Sequence, residues 1–280
     1  MQIISDMATL AKCILKSRRP SSGRPRRKES IIIMGNGPSL RTVIDNNPQW
    51  LEAHTLMSVN FAANAPEYSR LRPEYHILAD PHFFAGYDRD ENVRRLWENI
   101  SRVDWKMTLL LPCREKGFLR RLGSRGITLP SDISVRYYNL TPADGNSRLH
   151  HLLFDEGLAM PRPRNVLIPA IMTAMREGFD TLYLAGADHS WTRTLSVDDD
   201  NRVVSIQPHF YKDSGKELQR VKSDYEGIRI ADVLESMSIA FRSYQTIAGY
   251  AEKRGVKILN ATPGSFIDSF PRVDAEACDQ

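Results

Sequence analysis

The residues able to do chemistry gather at the ends of short apolar runs. Gly35-Asn36-Gly37-Pro38-Ser39-Leu40 follows the first such run, 31–34. Two glycines allow a tight turn and a close approach of backbone N–H groups to an anion. Pro38 and Ser39 then suit the opening of a helix, whose N-terminus favours phosphate. The third glycine of a dinucleotide fingerprint and the lysine of a P-loop are both missing, so the turn belongs to neither class. An ordinary strand-to-helix turn is the plain alternative. Asn60 and Asp80 each stand one residue past an apolar run. Asparagine offers a base or sugar both a donor and an acceptor, and aspartate accepts from ribose hydroxyls or holds a cation. At such positions both also cap the following turn.

Gly186-Ala187-Asp188-His189 follows the run 181–185. Asp188 suits binding an acceptor or orienting a neighbour. His189 is an acid–base candidate because imidazole titrates near neutrality, with a structural histidine as the alternative. His209, Tyr211 and Asp213 fall in a segment that reads as a lid spanning about 190–225, and loops closing over a reacting centre commonly deliver such groups. Arg162 and Arg164 precede Asn165 at a helix start and suit phosphates or a carboxylate. Thr262 and Ser265 lie in the polar stretch after the last apolar run. The acidic run Asp198-Asp199-Asp200-Asn201 sits between 195–197 and 202–206, which reads as a solvated hairpin turn rather than a metal site.

These groups need a scaffold that brings strand ends together. Candidate strands are 31–34, 56–59, 75–79, 107–111, 133–138, 181–185 and 256–259, and helical patterns cover 39–45, 91–99, 165–177 and 228–254. Strands alternating with helices predict an open α/β fold, with a mainly parallel, Rossmann-like sheet covered by helices on both faces. In such sheets ligands bind in the crevice outside the carboxyl ends of the strands. The expected organisation is an N-terminal segment 1–30, a catalytic body 31–270 and a tail 271–280.

The chain has 280 residues, 41% of them apolar and 26% charged, which fits a folded globular protein and excludes collagen-like and disordered classes. Its net charge of +4 is uneven. Residues 1–30 carry eight basic side chains against Asp6 and Glu29, or +6, which leaves −2 for the rest. A body without excess positive charge argues against extended nucleic-acid binding. Ile3, Ile4, Met7, Leu10, Ala11, Ile14 and Leu15 form one helical stripe beside Lys16, Arg18 and Arg19. That pattern predicts either contact of residues 1–28 with an anionic membrane surface or a helix docked on the body or a partner, with a Pro/Ser/Gly linker behind it. Cys13, Cys113 and Cys278 have no metal-like or disulfide-like spacing, so a reducing cytoplasm is expected. No run is long enough to span a bilayer, and no secretory signal is legible.

Taken in order, these motifs resemble glycosyltransferase family 42, the bacterial CMP-sialic acid transferases, and more distantly a pyrophosphokinase-like family with the same Gly-x-Gly-Pro-Ser start. The family's opening Gly-Asn-Gly-Pro-Ser-Leu is matched at Gly35 to Leu40, its second strand-end Asn at Asn60, and its Asn-Pro-aromatic segment at Asp80-Pro81-His82-Phe83-Phe84, with Asp for Asn. Its Tyr-Leu-Ser-Gly-x-Asp strand end is similar to Tyr183 through Asp188. The resemblance implies a single-domain, GT-A-like variant with a small lid, and a donor of a CMP-activated nonulosonic acid such as sialic acid or Kdo. It further implies inverting, metal-independent transfer to a surface glycan, with no cofactor. Gly35, Asn36, Gly37, Ser39, Asn60, Asp80, Arg164, Asn165, Gly186, Asp188, Thr262 and Ser265 would hold the nucleotide sugar. Tyr211 and Arg164 would stabilise the leaving phosphate. The family's catalytic histidine lies four residues after a His-Tyr pair. Here Asp213 holds that position after His209-Phe210, so the base stays open among His209, Asp213 and His189. Two other functions are compatible with these motifs: a pyrophosphokinase-like transferase using Mg²⁺ on Asp80 and Asp188, and a non-catalytic nucleotide- or glycan-binding subunit. The partners expected are donor and acceptor, with self-association left open.

Overall fold

Three consecutive β-branched residues, Ile31, Ile32 and Ile33, have no exposed surface at all. A strand buried on both faces belongs in the middle of a parallel sheet, and that is where β1 (Ser30–Met34) lies in the computed structural model, which describes residues 2–204 and 227–275. The other sheet strands are β2 (Thr55–Val59), β3 (Tyr75–Ile77), β4 (Met107–Pro112), β5 (Ile133–Tyr138), β6 (Thr181–Ala185) and β7 (Lys257–Asn260). Their order is β7-β6-β1-β2-β3-β4-β5, and every pairing is parallel. The fold is therefore an α/β, Rossmann-like one, as the alternation of patterns predicts. All seven expected strands are present.

Side chains alternate between the two faces of a strand, and β1 shows the consequence. Ile31 and Ile33 enter one core with Met57, Val59 and the helices Leu167–Arg176 and Ile230–Arg254. Ile32 and Met34 enter another with Leu40, Trp50, Leu56 and Ala185. A third cluster, around Trp97, Leu109, Leu111 and Phe118, fills the β4 side of the sheet and seats the helix Glu91–Ile100. Positions Leu167 through Met175 are buried without interruption, so that helix is apolar all round, as an interior helix must be. The four expected helices are found within two residues of their sequence bounds. Ser196–Val197 pairs antiparallel with Val203–Val204, and Asp198 Oδ1 accepts from the Asp200 and Arg202 amides, so the acidic run is a capped hairpin turn.

Two expectations need correction. The Pro/Ser/Gly tract is not a free linker: Ser21 N donates to Tyr137 O, Arg24 N to Arg176 O and Arg27 N to Gly178 O. Glu177, 3% exposed, holds this strap through an ion pair with Arg24, Nε to Oε2 3.0 Å, and a hydrogen bond that its Oε1 accepts from Arg136 Nε at 2.6 Å. Nor does the body end at 270. Asn260 N donates to Pro271 O, Val273 N donates to Asn260 O, and Ala275 is buried. Backbone pairing thus carries the fold to Val273, and side-chain packing carries it to Ala275. Because Glu177 is buried between two guanidinium groups, Glu177→Ala leaves both without their anion. We expect a loss on the order of 2–3 kcal/mol in urea unfolding and faster tryptic cleavage after Arg26 or Arg27; unchanged values of both would contradict the strap.

Candidate functional site

The chain leaves β1 toward β2 and, after β5, returns to β1's other edge as β6. The turns that follow β1 and β6 therefore stand side by side, at the switch point where α/β sheets open a crevice. A cavity of about 750 Å³ lies there. Gly35, Asn36, Gly37, Asn60, Asp80, Arg164, Asn165, Gly186, Asp188 and His189, ten of the expected residues, line it together. Trp191, at the end of the motif that begins at Gly186, lines it too, as do Arg114 and Arg193, which went unnoticed in the sequence because neither sits in a recognisable motif. His209, Tyr211 and Asp213 lie outside the described residues.

The glycines have a reason that the sequence does not reveal. A Cβ on Gly35 would stand 2.5 Å from Gly186 O, and one on Gly186 would stand 2.7 Å from Gly35 O. Two backbones thus touch where no side chain fits, and Gly186 also needs its positive φ of 68°. Gly35 N donates to Ala185 O at 2.7 Å and Gly37 N to Gly186 O at 2.9 Å, so the Gly37 amide, expected to face an anion, is already used inside the protein. Ser39 does not line the cavity: its Oγ donates to Asp188 Oδ2 at 2.7 Å and ties the two turns together. Thr262 and Ser265 are also behind the cavity rather than in it. Both are buried; Thr262 Oγ1 accepts from Ala187 N at 3.0 Å, and Ser265 Oγ donates to Ala187 O at 2.6 Å.

Asn60 is held in the left-handed region at φ 50°. His76, a residue with no partner legible in the sequence, supports it from below. Its ring is fully buried, and its Nε2–H donates to Asn60 O at 3.0 Å. That fixes the tautomer, so Nδ1 accepts the Ser58 hydroxyl at 2.7 Å. Asp80 caps the next turn, with Oδ1 accepting His82 N at 2.8 Å, and still lines the cavity.

A second histidine is fixed by similar bookkeeping of protons. Asn165 Oδ1 accepts Leu167 N at 3.0 Å and the Tyr244 hydroxyl at 2.8 Å. Having given its proton to Asn165, Tyr244 can only accept from His189 Nε2, 2.6 Å away. His189 is therefore the Nε2–H tautomer, and Nδ1 is its remaining basic atom. Burial pushes the imidazoles of both His189 and His76 down to about 3, so both are neutral at physiological pH. The His189 ring lies 4.2 Å from that of Trp191, between centroids. Asn60 Oδ1 and Asn165 Nδ2 are buried with no hydrogen-bond partner. Such groups are costly unless a ligand or water completes them. Three arginines line the same cavity: Arg164, Arg114, whose Nε also lies 3.6 Å from Glu115 Oε1, and Arg193, whose guanidinium lies over the Phe266 ring at 4.8 Å. The cavity thus offers one acceptor, one donor and three cations to an anionic polar ligand. Asp80 and Asp188 are its carboxylates, and no cluster of three or more metal-ligating side chains occurs among the described residues.

The two neutral histidines link stability to pH. Unfolded, each takes up a proton below about 6.5; folded, neither does until about 3. Stability is complete above the upper value and falls as pH drops between them, by about 1.4 kcal/mol per pH unit for each histidine. Urea titrations at stepped pH check this: His189→Gln is expected to halve the slope contributed by the pair, and an unchanged slope contradicts the assignment.

No protein-family model matches the sequence, and no curated protein matches it. Among solved structures, the chain is similar to the MAf glycosyltransferase from Magnetospirillum magneticum AMB-1, at a TM-score of 0.51 and 13% identity, over 98% of this chain and 38% of that one. The chain thus spans well under half the length of the enzyme it matches. The apo structure of FabMG, an enoyl-acyl carrier protein reductase, aligns at a TM-score of 0.19 and 11% identity, too distant to bear on the fold. What the first likeness shows is a glycosyltransferase-like fold, not family 42 in particular.

Proposed function

We propose that the chain is a glycosyltransferase that takes a sugar from a nucleotide-activated donor, and more specifically a nonulosonic acid such as sialic acid or Kdo from its CMP ester. One observation carries the reading: a cavity at the sheet's switch point joins the unpartnered Asn60 Oδ1 and Asn165 Nδ2 to the cations of Arg114, Arg164 and Arg193. The shared glycosyltransferase-like fold supports it.

In the reaction proposed, the acceptor hydroxyl oxygen bonds to the anomeric carbon as the bond from that carbon to the phosphate oxygen breaks. The hydroxyl proton passes to a base and CMP departs with the bonding electrons, with inversion at the anomeric carbon. Arginines beside the leaving phosphate stabilise charge where it grows. An imidazole with so low a proton affinity is a poor base at neutral pH. We therefore assign His189 to positioning Tyr244 and Asn165, and give proton abstraction to His209 or Asp213. A second reading rests on the two carboxylates: Asp80 and Asp188 line the same cavity, as a magnesium-dependent pyrophosphokinase would require.

Calorimetric titration separates the two. CMP is expected to bind without magnesium, and Arg164→Ala to weaken it on the order of tenfold to a hundredfold, the range of a charge-assisted hydrogen bond. ATP binding that needs magnesium, with no CMP binding, would replace this reading with the second. Mass-spectrometric transfer assays over a panel of CMP-sugars then identify the donor; CMP binding without turnover, even with acceptors supplied, would leave a binding subunit.

A further inference from the structure

The N-terminal helix, Gln2–Lys16, is docked on the body by its polar side. Asp6 Oδ1 accepts from Ser147 Oγ at 2.9 Å and faces His150 Nε2 at 3.5 Å. Thr9, 1% exposed, meets the same histidine at 3.2 Å. Buried Cys13 donates weakly to Leu158 O at 3.7 Å, and Ser17, just past the helix, donates to that same carbonyl at 2.6 Å. A helix held this way turns its other side to solvent, and that side is apolar: Met7 is 66% exposed, Ile14 79% and Leu15 73%. Their spacing, with Leu10 between, sets them on one face of a 3.6-residue turn, opposite Thr9 and Cys13. Leu152, on the helix packed beneath, adds another exposed apolar side chain. Such orientation inverts the usual one, in which the apolar stripe seeks the core.

Charge identifies what covers the stripe. Lys16, Arg18 and Arg19 follow it directly, are exposed, and form no ion pair among the described residues. Arg24 and Arg27, farther along, are already paired with Glu177 and Glu29. Four apolar side chains on a single helix fall well short of the roughly 20–30 residues a side that stable protein interfaces use. They suit instead a helix lying in the headgroup layer, where apolar side chains enter the acyl boundary and adjacent cations meet anionic lipid. We propose that the exposed face of Gln2–Lys16, with Lys16, Arg18 and Arg19, docks the folded protein on an anionic lipid bilayer. The contact is peripheral: no helix among the described residues is long and apolar enough to cross a membrane.

Flotation of the full chain with vesicles of phosphatidylcholine, with and without phosphatidylglycerol, tests this. Binding at low salt is expected to be at least about tenfold tighter on the anionic vesicles and to weaken as salt rises. The double variant Ile14→Ser, Leu15→Ser is expected to lose at least about tenfold on those vesicles while melting as the parent does, because both side chains face solvent. Three results would overturn the proposal: no flotation with the anionic vesicles, equal binding by the double variant, or a concentration-dependent dimer that the double variant abolishes. Last of these would make a second copy the occupant.

Discussion

Two backbone turns from strands about 150 residues apart in sequence meet with only hydrogen atoms between them, and the whole candidate site depends on that approach. Gly35 and Gly186 are in mutual contact, and Gly37 fits beneath Asp188 because it has no side chain. Amide-to-carbonyl bonds at Gly35 and Gly37, the Ser39–Asp188 bond, and the Thr262 and Ser265 hydroxyls behind Ala187 hold the turns in register. A larger residue at either glycine would part the turns and with them Asn36, Asp188 and His189. The same approach consumes the Gly37 amide. In the proposed function, anion binding at this rim therefore falls to side chains, the three arginines above all, rather than to a cradle of N–H groups.

Around that contact the protein spends buried polar groups on geometry. His76 holds the carbonyl of Asn60 in a left-handed conformation, and the chain from His189 through Tyr244 to Asn165 orients an amide beneath the cavity. Each imidazole is neutral, with its tautomer set by its neighbours. The consequence is that Asn60 and Asn165 hold their polar atoms ready without support from solvent. Fixed, unsatisfied donors and acceptors are what a selective polar site requires.

Much of this was legible in the sequence, for reasons that differ by residue. Sheet and helices could be read because Ile31–Ile33 and Leu182–Leu184 are apolar runs of strand length, and the helix at 167–176 is apolar over helix length. The strand-end rule then gathered Asn36, Asn60, Asp80, Asp188 and His189 at one crevice. Long-range pairing hid the rest. Nothing near Ser39, Thr262 or Ser265 shows that their hydroxyls are turned toward another turn's backbone, and nothing near His76 or Tyr244 shows the distant amides they serve. Arg114 and Arg193 carry no local signal, since an arginine after a strand is most often solvated. The amphipathic stripe at the N-terminus was visible, but not that its polar side faces the body, because Asp6, Thr9 and Cys13 find their partners in residues 147–158.

The central claim is that the crevice between the turns after β1 and β6 receives an anionic nucleotide. A crystal of the protein soaked with CMP measures this most directly. The account predicts density for the phosphate within hydrogen-bond reach of Arg114, Arg164 or Arg193, with the nucleoside completing Asn60 Oδ1 or Asn165 Nδ2. Density for CMP elsewhere on the protein, with the crevice holding only water at saturating ligand, would contradict it.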